Sequence, residues 1–324
     1  MSPTVIIAIV LGYFLLLLLV GFITGRKSDN QSFFIGNRRS PWLVVAYGMI
    51  GASLSGITFI SVPGWVLTSH FAYLQMVLGY VLGYAVIAFV LLPLYYRLEL
   101  TSIYSYLETR FGFYSYKTGA VFFLISRLIG ASFRLFIVTG VLQFVALDKL
   151  GIPFPVTVIV TILLIWIYTF RGGIKTIVWT DTLQTTFMLL SVIGTIWIIA
   201  SQLGWSFSDI TGQIKSWDLS HIFFFDDWKS KHYFWKQFLS GIFITIVMTG
   251  LDQDMMQKNL SCRTEKEARK NVLLLSGSLV VVNIIFLSLG ALLVFYAQAK
   301  GLAIPQDTDQ LFPAIVMSGL LPPV

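Results

Sequence analysis

Two arginines, Arg127 and Arg134, lie in one apolar stretch, and a single aspartate, Asp181, interrupts another. A spacing of seven puts both guanidinium groups on one helix face. At a rise of about 1.5 Å per residue, Arg134 sits roughly 25 Å along the helix from Lys117, deep in an apolar layer. An arginine there costs at least about 2.5–3.5 kcal/mol, so it needs a cavity or a partner. Two partners fit: a small molecule bearing a carboxylate, gripped through both guanidinium nitrogens, or a permanent structural ion pair. Arg127 lies closer to the edge, where its head can snorkel toward water.

Asp181 follows Arg171-Gly-Gly-Ile-Lys-Thr-Ile-Val-Trp-Thr180 and has Thr180, Thr182, Thr185 and Thr186 around it. A carboxylate among hydroxyls suits a hard cation such as Na⁺, or a proton. A salt bridge to Arg127 or Lys175 is the alternative. A second acidic pair, Asp252-Gln253-Asp254, closes a later apolar run just before Lys258. Acids at a helix C-terminus oppose the macrodipole. Neighbouring basic side chains are therefore expected to hold them, as a gate or topology lock at the cytoplasmic side that includes Arg127 and Gln253.

The stretch Gly48-Met-Ile-Gly-Ala-Ser-Leu-Ser-Gly-Ile-Thr-Phe-Ile-Ser-Val-Pro-Gly64 is apolar enough to cross a bilayer yet rich in glycine, hydroxyls and proline. Glycine and proline weaken the helical ladder, and in hydrocarbon each freed carbonyl must find another partner. The expectation is a discontinuous transmembrane helix whose loose turn holds a cation and part of a substrate. Ser55 and Thr58, three apart, share a face. Their hydroxyls either meet a ligand or bond back to the preceding turn. Gln75, near the start of the next run, brings a buried amide that needs partners or water.

The elements that must position these residues are membrane spans. The 324 residues are 56% hydrophobic and 11% charged, far below the roughly 25% charge of soluble domains. An all-α polytopic membrane protein follows. Runs of about 20 apolar residues fall near 3–25, 42–68, 72–96, 119–147, 154–170, 176–202, 235–257 and 271–299, eight in all. Alternating the loops puts fourteen basic residues on one side and six on the other, which marks the richer side as cytoplasmic and the N-terminus as outside. Arg26 and Lys27 follow the first apolar run instead of preceding it, the reverse of a cleavable signal peptide. The net charge of +7 is thus assigned to cytoplasmic loops, not to nucleic acid.

Three connections look more than passive. Leu98–Lys117, with Tyr104, Tyr106, Tyr114 and Tyr116, reads as an interfacial helix or a simple loop. The loop 204–233 carries Trp205, Trp217, Trp228 and Phe223–Phe225, and should pack over the outer face. Asp307–Val324 is a short amphipathic stretch that ends like the approach to a further span.

Other classes find little support. Gly21-Phe-Ile-Thr-Gly-Arg-Lys-Ser28 is one residue short of a P-loop. His70, His221 and His232 lack metal-ligand spacing, and Cys262 is alone. Nothing points to an enzyme or an organic cofactor.

Gly51-Ala-Ser-Leu-Ser-Gly-Ile-Thr-Phe with Pro63-Gly64, Gly172-Gly-Ile-Lys-Thr-Ile-Val-Trp-Thr-Asp-Thr-Leu-Gln184, and Asp252-Gln-Asp-Met-Met-Gln-Lys258 resemble, in order, the sodium:solute symporter family. The resemblance implies a LeuT-type fold within a single transmembrane domain, 1–324. Residues 3–25 would be an extra helix, 42–202 the first five-helix repeat, and 235–324 the start of a second, incomplete repeat. It implies sodium ligation by the carbonyls of Gly51 and Leu54, with the remaining hydroxyls beyond Val324, and a second sodium at Asp181. Within the family the pattern is similar to bacterial sialic acid symporters, whose sugar-acid ligands map to Ser55, Thr58, Gln75 and Arg134. The implied activity is Na⁺-coupled uptake of a small organic anion across a bacterial-type inner membrane. Other carboxylates and iodide stay open as substrates, as does a truncated, non-transporting membrane module.

Overall fold

The computed structural model describes residues 3–25, 40–54, 56–100, 102–169 and 173–321. Among them the secondary structure is helical, apart from a bridge between Ser40 and Cys262. In chain order the helices are α1 (Pro3–Gly25), α2 (Trp42–Ser53), α3 (Gly56–Ser69), α4 (Tyr73–Arg97), α5 (Ser105–Phe111), α6 (Phe113–Leu142) and α7 (Phe154–Thr169). They continue with α8 (Gly173–Leu203), α9 (Phe207–Ser216), α10 (Phe234–Thr245), α11 (Gln253–Leu260), α12 (Glu265–Ala299) and α13 (Leu311–Met317).

By length and composition, five of these helices can cross a membrane unaided. Two bent pairs raise the number to seven among the described residues: Trp42–Ser53 with Thr58–Ser69, bent by 56°, and Phe234–Gly250 with Gln253–Leu260, bent by 66°. The first is the discontinuous helix expected from Gly48–Gly64. The second was not apparent in the sequence. The remaining expected span corresponds to the shorter apolar helix at Phe154–Ile167. A π turn at Ile87–Leu91 runs through α4, and another at Ile246–Gly250 follows α10 just ahead of the second bend. Such turns loosen the ladder where a helix changes course.

The chain forms two compact units, each drawn from three stretches of sequence. One comprises Met1–Met49, Ala88–Leu183 and Met248–Val272. Within it α7 packs on both α1 and α6, and α5 packs on α6. Polar ties hold this apolar assembly in register: Thr24 and Thr176 share a hydroxyl hydrogen bond of 2.6 Å, and the Tyr96 hydroxyl donates to the carbonyls of Asn259 and Cys262 at 3.0 Å each. Within the segment 98–117, Ser105–Phe111 forms the short helix α5, which carries Tyr106, while Tyr114 and Tyr116 already lie in the first turn of α6.

The other unit comprises Ile50–Ile87, Gln184–Val247 and Leu273–Val324. Its closest helix pair is α4 with α10, and glycine is the reason. A Cβ on Gly79 would collide with the Phe238 carbonyl, and one on Gly241 with the Met76 carbonyl. Small residues at such contacts let backbones approach within a membrane, where packing replaces the hydrophobic drive. Phe59 of α3 meets Phe286 and Phe312 edge to face, at 5.7 and 4.8 Å. The aromatic loop 204–233 is ordered as expected. Ser206 and Asp209 form a reciprocal capping box on α9, and Trp205 and Trp217 lie edge-on to Phe295 at 5.7 and 5.1 Å.

Candidate functional site

The break after α2 collects several of the residues singled out from sequence. Breaking a helix frees carbonyls in its last turn, the turn that holds Gly51. The Gly51 amide donates to Thr185 Oγ1 of α8 at 3.0 Å, and a Cβ at Gly51 would strike that hydroxyl. Glycine is thus what lets this turn lie against the threonine. Leu54, at the bend itself, is buried. Ser53 Oγ is buried with no hydrogen-bond partner among the described residues. An orphaned hydroxyl beside a helix break is where a bound cation or polar substrate would find a ligand, and the sequence reading overlooked it. Ser55 lies outside the described residues. Thr58 is half-buried in α3.

Gln75 is fully buried, and its amide is committed. Nε2 donates to the carbonyls of Ala72 at 3.3 Å and His232 at 2.9 Å, while Oε1 accepts from the Phe224 amide at 3.1 Å. The buried amide has therefore found its partners in the loop 204–233. The same loop corrects the picture of scattered histidines. His221, His70 and His232 all converge on the Phe224 ring, at 4.7, 5.7 and 6.1 Å between centroids.

Asp181 has a partner other than the two candidates named from sequence. Lys258 Nζ of α11 donates to Asp181 Oδ2 at 2.7 Å, with the lysine only 4% exposed. Gly48 of α2 is packed beside Asp181, its position 3.3 Å from the aspartate Cβ were a Cβ present. Thr182 Oγ1 donates to the Val178 and Val44 carbonyls at 2.8 and 3.3 Å, fixing α8 against α2.

Arg127, Asp252 and Gln253, grouped from sequence as a gate or topology lock, lie close together, and the acids stand differently from the expectation. Asp252 does not end a helix. It caps the start of α11, its Oδ1 accepting from the Met255 amide at 3.1 Å. A carboxylate there complements the macrodipole. Arg127 pairs with Asp252 and lies 4.0 Å from Asp254, and Gln253 Oε1 accepts from the Ile103 amide at 2.9 Å.

Arg134 is exposed on α6 and has no ion-pair or hydrogen-bond partner among the described residues. The other charges named within the spans, Arg127, Asp181, Asp252, Asp254 and Lys258, all belong to ion pairs.

The sequence pattern of the sodium:solute symporter family matches residues 33–324. The chain belongs to that family. Members are membrane transporters, not enzymes, and the chain is accordingly a multi-pass membrane protein. It is 26% identical to the human sodium/iodide cotransporter over 305 residues, 92% of this chain and 46% of the relative. It is 25% identical to the sodium/sialic acid symporter SiaT of Proteus mirabilis (strain HI4320) over 323 residues, 96% of this chain and 63% of that protein. The rabbit (Oryctolagus cuniculus) sodium-dependent multivitamin transporter is 29% identical over 249 residues, 75% of this chain and 38% of the relative. The chain thus spans about half the length of the first curated relatives it matches. Among solved structures, a substrate-bound, outward-open Na⁺-coupled sialic acid symporter superposes with a TM-score of 0.81 at 24% identity, covering 97% of this chain and 66% of that one. The fold is therefore of the LeuT type expected from the three sequence motifs.

Proposed function

We propose that the protein is a sodium-coupled symporter that imports a small organic anion, a carboxylate such as sialic acid, across a bacterial-type inner membrane with its N-terminus outside. The observation that carries this reading is Arg134, a charge inside a span with no partner of its own. A guanidinium left unpaired at that depth is costly, and a carboxylate that arrives as substrate relieves the cost through two parallel hydrogen bonds. A neutral solute would leave it unrelieved.

In this reading Ser55 and Thr58 supply hydroxyls to the same acid, and Gln75 anchors the outer loop. Sodium is cargo. Gly51 and Leu54 offer carbonyls to one ion at the broken helix, helped by Ser53, and Asp181 offers a carboxylate to a second. A helix break with an orphaned hydroxyl fits an oxygen-seeking cation. Ion binding favours the state that accepts substrate, and closure around both lets the protein open to the other side.

The test is uptake into proteoliposomes with and without an inward Na⁺ gradient, across sialic acid, short monocarboxylates, iodide and a neutral hexose. Gradient-dependent, saturable uptake of an acid, lost in Arg134→Ala with insertion intact, supports the reading. Undiminished acid uptake by Arg134→Ala, or uptake of the hexose alone, overturns it. A fully inserted protein that moves none of these solutes favours the non-transporting membrane module.

A further inference from the structure

The ion pair between Asp181 and Lys258 joins two elements of different character. Asp181 rides on α8, a continuous helix of 31 residues. Lys258 rides on α11, an eight-residue segment set off from α10 by the 66° bend and started by its own cap at Asp252. The lysine ammonium is almost fully buried, and a buried ammonium persists only with a counter-charge. Its Nζ sits 2.7 Å from Asp181 Oδ2.

A small cation bound at this carboxylate, on either oxygen, would lie close to the ammonium held at Oδ2. Two positive charges on one carboxylate in a poorly solvated site repel each other strongly. The occupants therefore compete. One is tethered to the chain, and the other comes from solution.

We propose that Lys258 is a built-in competitor for the coupling cation at Asp181, so that it sets the cation affinity of this site and ties cation arrival to displacement of α11. This rests on the sodium-symport reading above. Lys258 is a specificity-determining residue in this scheme. It touches the cation's ligand, and it does not ligate the cation. The consequence is that α11 is tied to α8 by this pair when the carboxylate has no ion, and loses that one tie when an ion takes Lys258's place.

The experiment titrates Na⁺, at constant ionic strength made up with choline, against the purified full chain, and reads thermal unfolding temperature and tryptophan fluorescence. Lys258→Gln removes the competitor, so its Na⁺ midpoint should fall by tenfold or more. Lys258→Arg, always charged and able to grip the carboxylate with two nitrogens, should raise it at least threefold. In an Asp181→Asn background the same lysine changes should move nothing. A wild-type response with an unchanged midpoint in both lysine variants overturns the proposal and leaves symport standing. A lysine effect that survives Asp181→Asn also overturns it, since Lys258 would then act elsewhere. No Na⁺ response in the wild type or in any lysine variant removes the symport reading itself. Should Lys258→Gln fail to fold, Lys258→Arg and the Asp181→Asn pairings carry the test.

Discussion

Arg127 of α6 is paired with Asp252, the residue that caps α11 immediately after the bend in the seventh span. The surrounding bonds fasten the neighbouring residues Leu251, Gln253 and Asp254 as well. The Tyr104 hydroxyl donates to the Leu251 carbonyl at 3.4 Å, Gln253 accepts from the Ile103 amide, and Asp254 lies 4.0 Å from Arg127. A helix broken in the middle of a span would otherwise present loose polar groups to an apolar layer. Here α6 and the segment before α5 take them up.

That arrangement separates two roles of Asp252. Asp252→Asn keeps a capping oxygen and loses the ion pair, whereas Asp252→Ala loses both. A lost cap costs about 0.5–2 kcal/mol. Breaking the pair should cost about 1–3 kcal/mol, less than a fully buried pair because Arg127 keeps 31% of its side chain exposed. Thermal unfolding in detergent should rank the variants wild type, Asp252→Asn, Asp252→Ala. Combining Arg127→Met with Asp252→Asn should cost much less than the sum of the two. Simple additivity would mean that the pair contributes nothing.

The glycine contact between α4 and α10 gives a second expectation. Gly79→Leu or Gly241→Val must push backbone from backbone, because the obstructing atoms are carbonyls that cannot rotate away. Overpacking of this kind costs about 1–3 kcal/mol, and the upper end is expected here. Gly12→Leu in α1 is the control, since a Cβ there meets nothing within 4 Å. Its unfolding temperature should stay at the wild-type value while those of the other two fall by several degrees. A fall in the control as large as in the α4 and α10 variants would remove the contact as the cause.

A third concerns pH. Burial, then Lys231 and His70, hold the His232 imidazole below its usual value of 6.5. The folded loop therefore prefers neutral His232. Its stabilising contribution is full above about pH 6.5 and is lost as pH falls through the lowered folded-state value. Protease cleavage in the loop 204–233 should rise between pH 7 and pH 5, and His232→Gln should flatten that rise. An identical profile for the variant would place the sensitivity elsewhere.

How much of this was legible beforehand follows the range of the interactions. The broken helix announced itself locally, through Gly48, Gly51, Gly56 and Pro63-Gly64, each a change to the backbone's own options. Span positions were legible because hydrocarbon thickness fixes their length. Partner choice was not. Asp181 was expected to meet Arg127 or Lys175, and instead meets Lys258, 77 residues away. The histidines looked unrelated because 151 residues separate His70 from His221 in the chain. The bend after Leu251 had one overlooked signal: Asp252 reads equally as the end of one helix or the cap of the next, and the acids were assigned to the wrong one.

Cys262, the chain's single cysteine, lies between α11 and α12, and offers a probe of how firmly that junction is closed. Burial, with a smaller push from Glu267, drives its thiol up to about 12. At neutral pH a thiol with that value holds several thousandfold less thiolate than a free cysteine near 8.5. The thiolate is the nucleophile, so low charge and poor access act in the same direction. Maleimide labelling at pH 7.4, followed by intact mass, should be negligible in the folded protein and rapid after denaturation. Tyr96→Phe removes the hydroxyl that ties the Asn259 and Cys262 carbonyls to α4, and should speed labelling without altering the denatured rate. Rapid labelling of the folded wild type would mean that this junction opens to solvent on the timescale of the reaction.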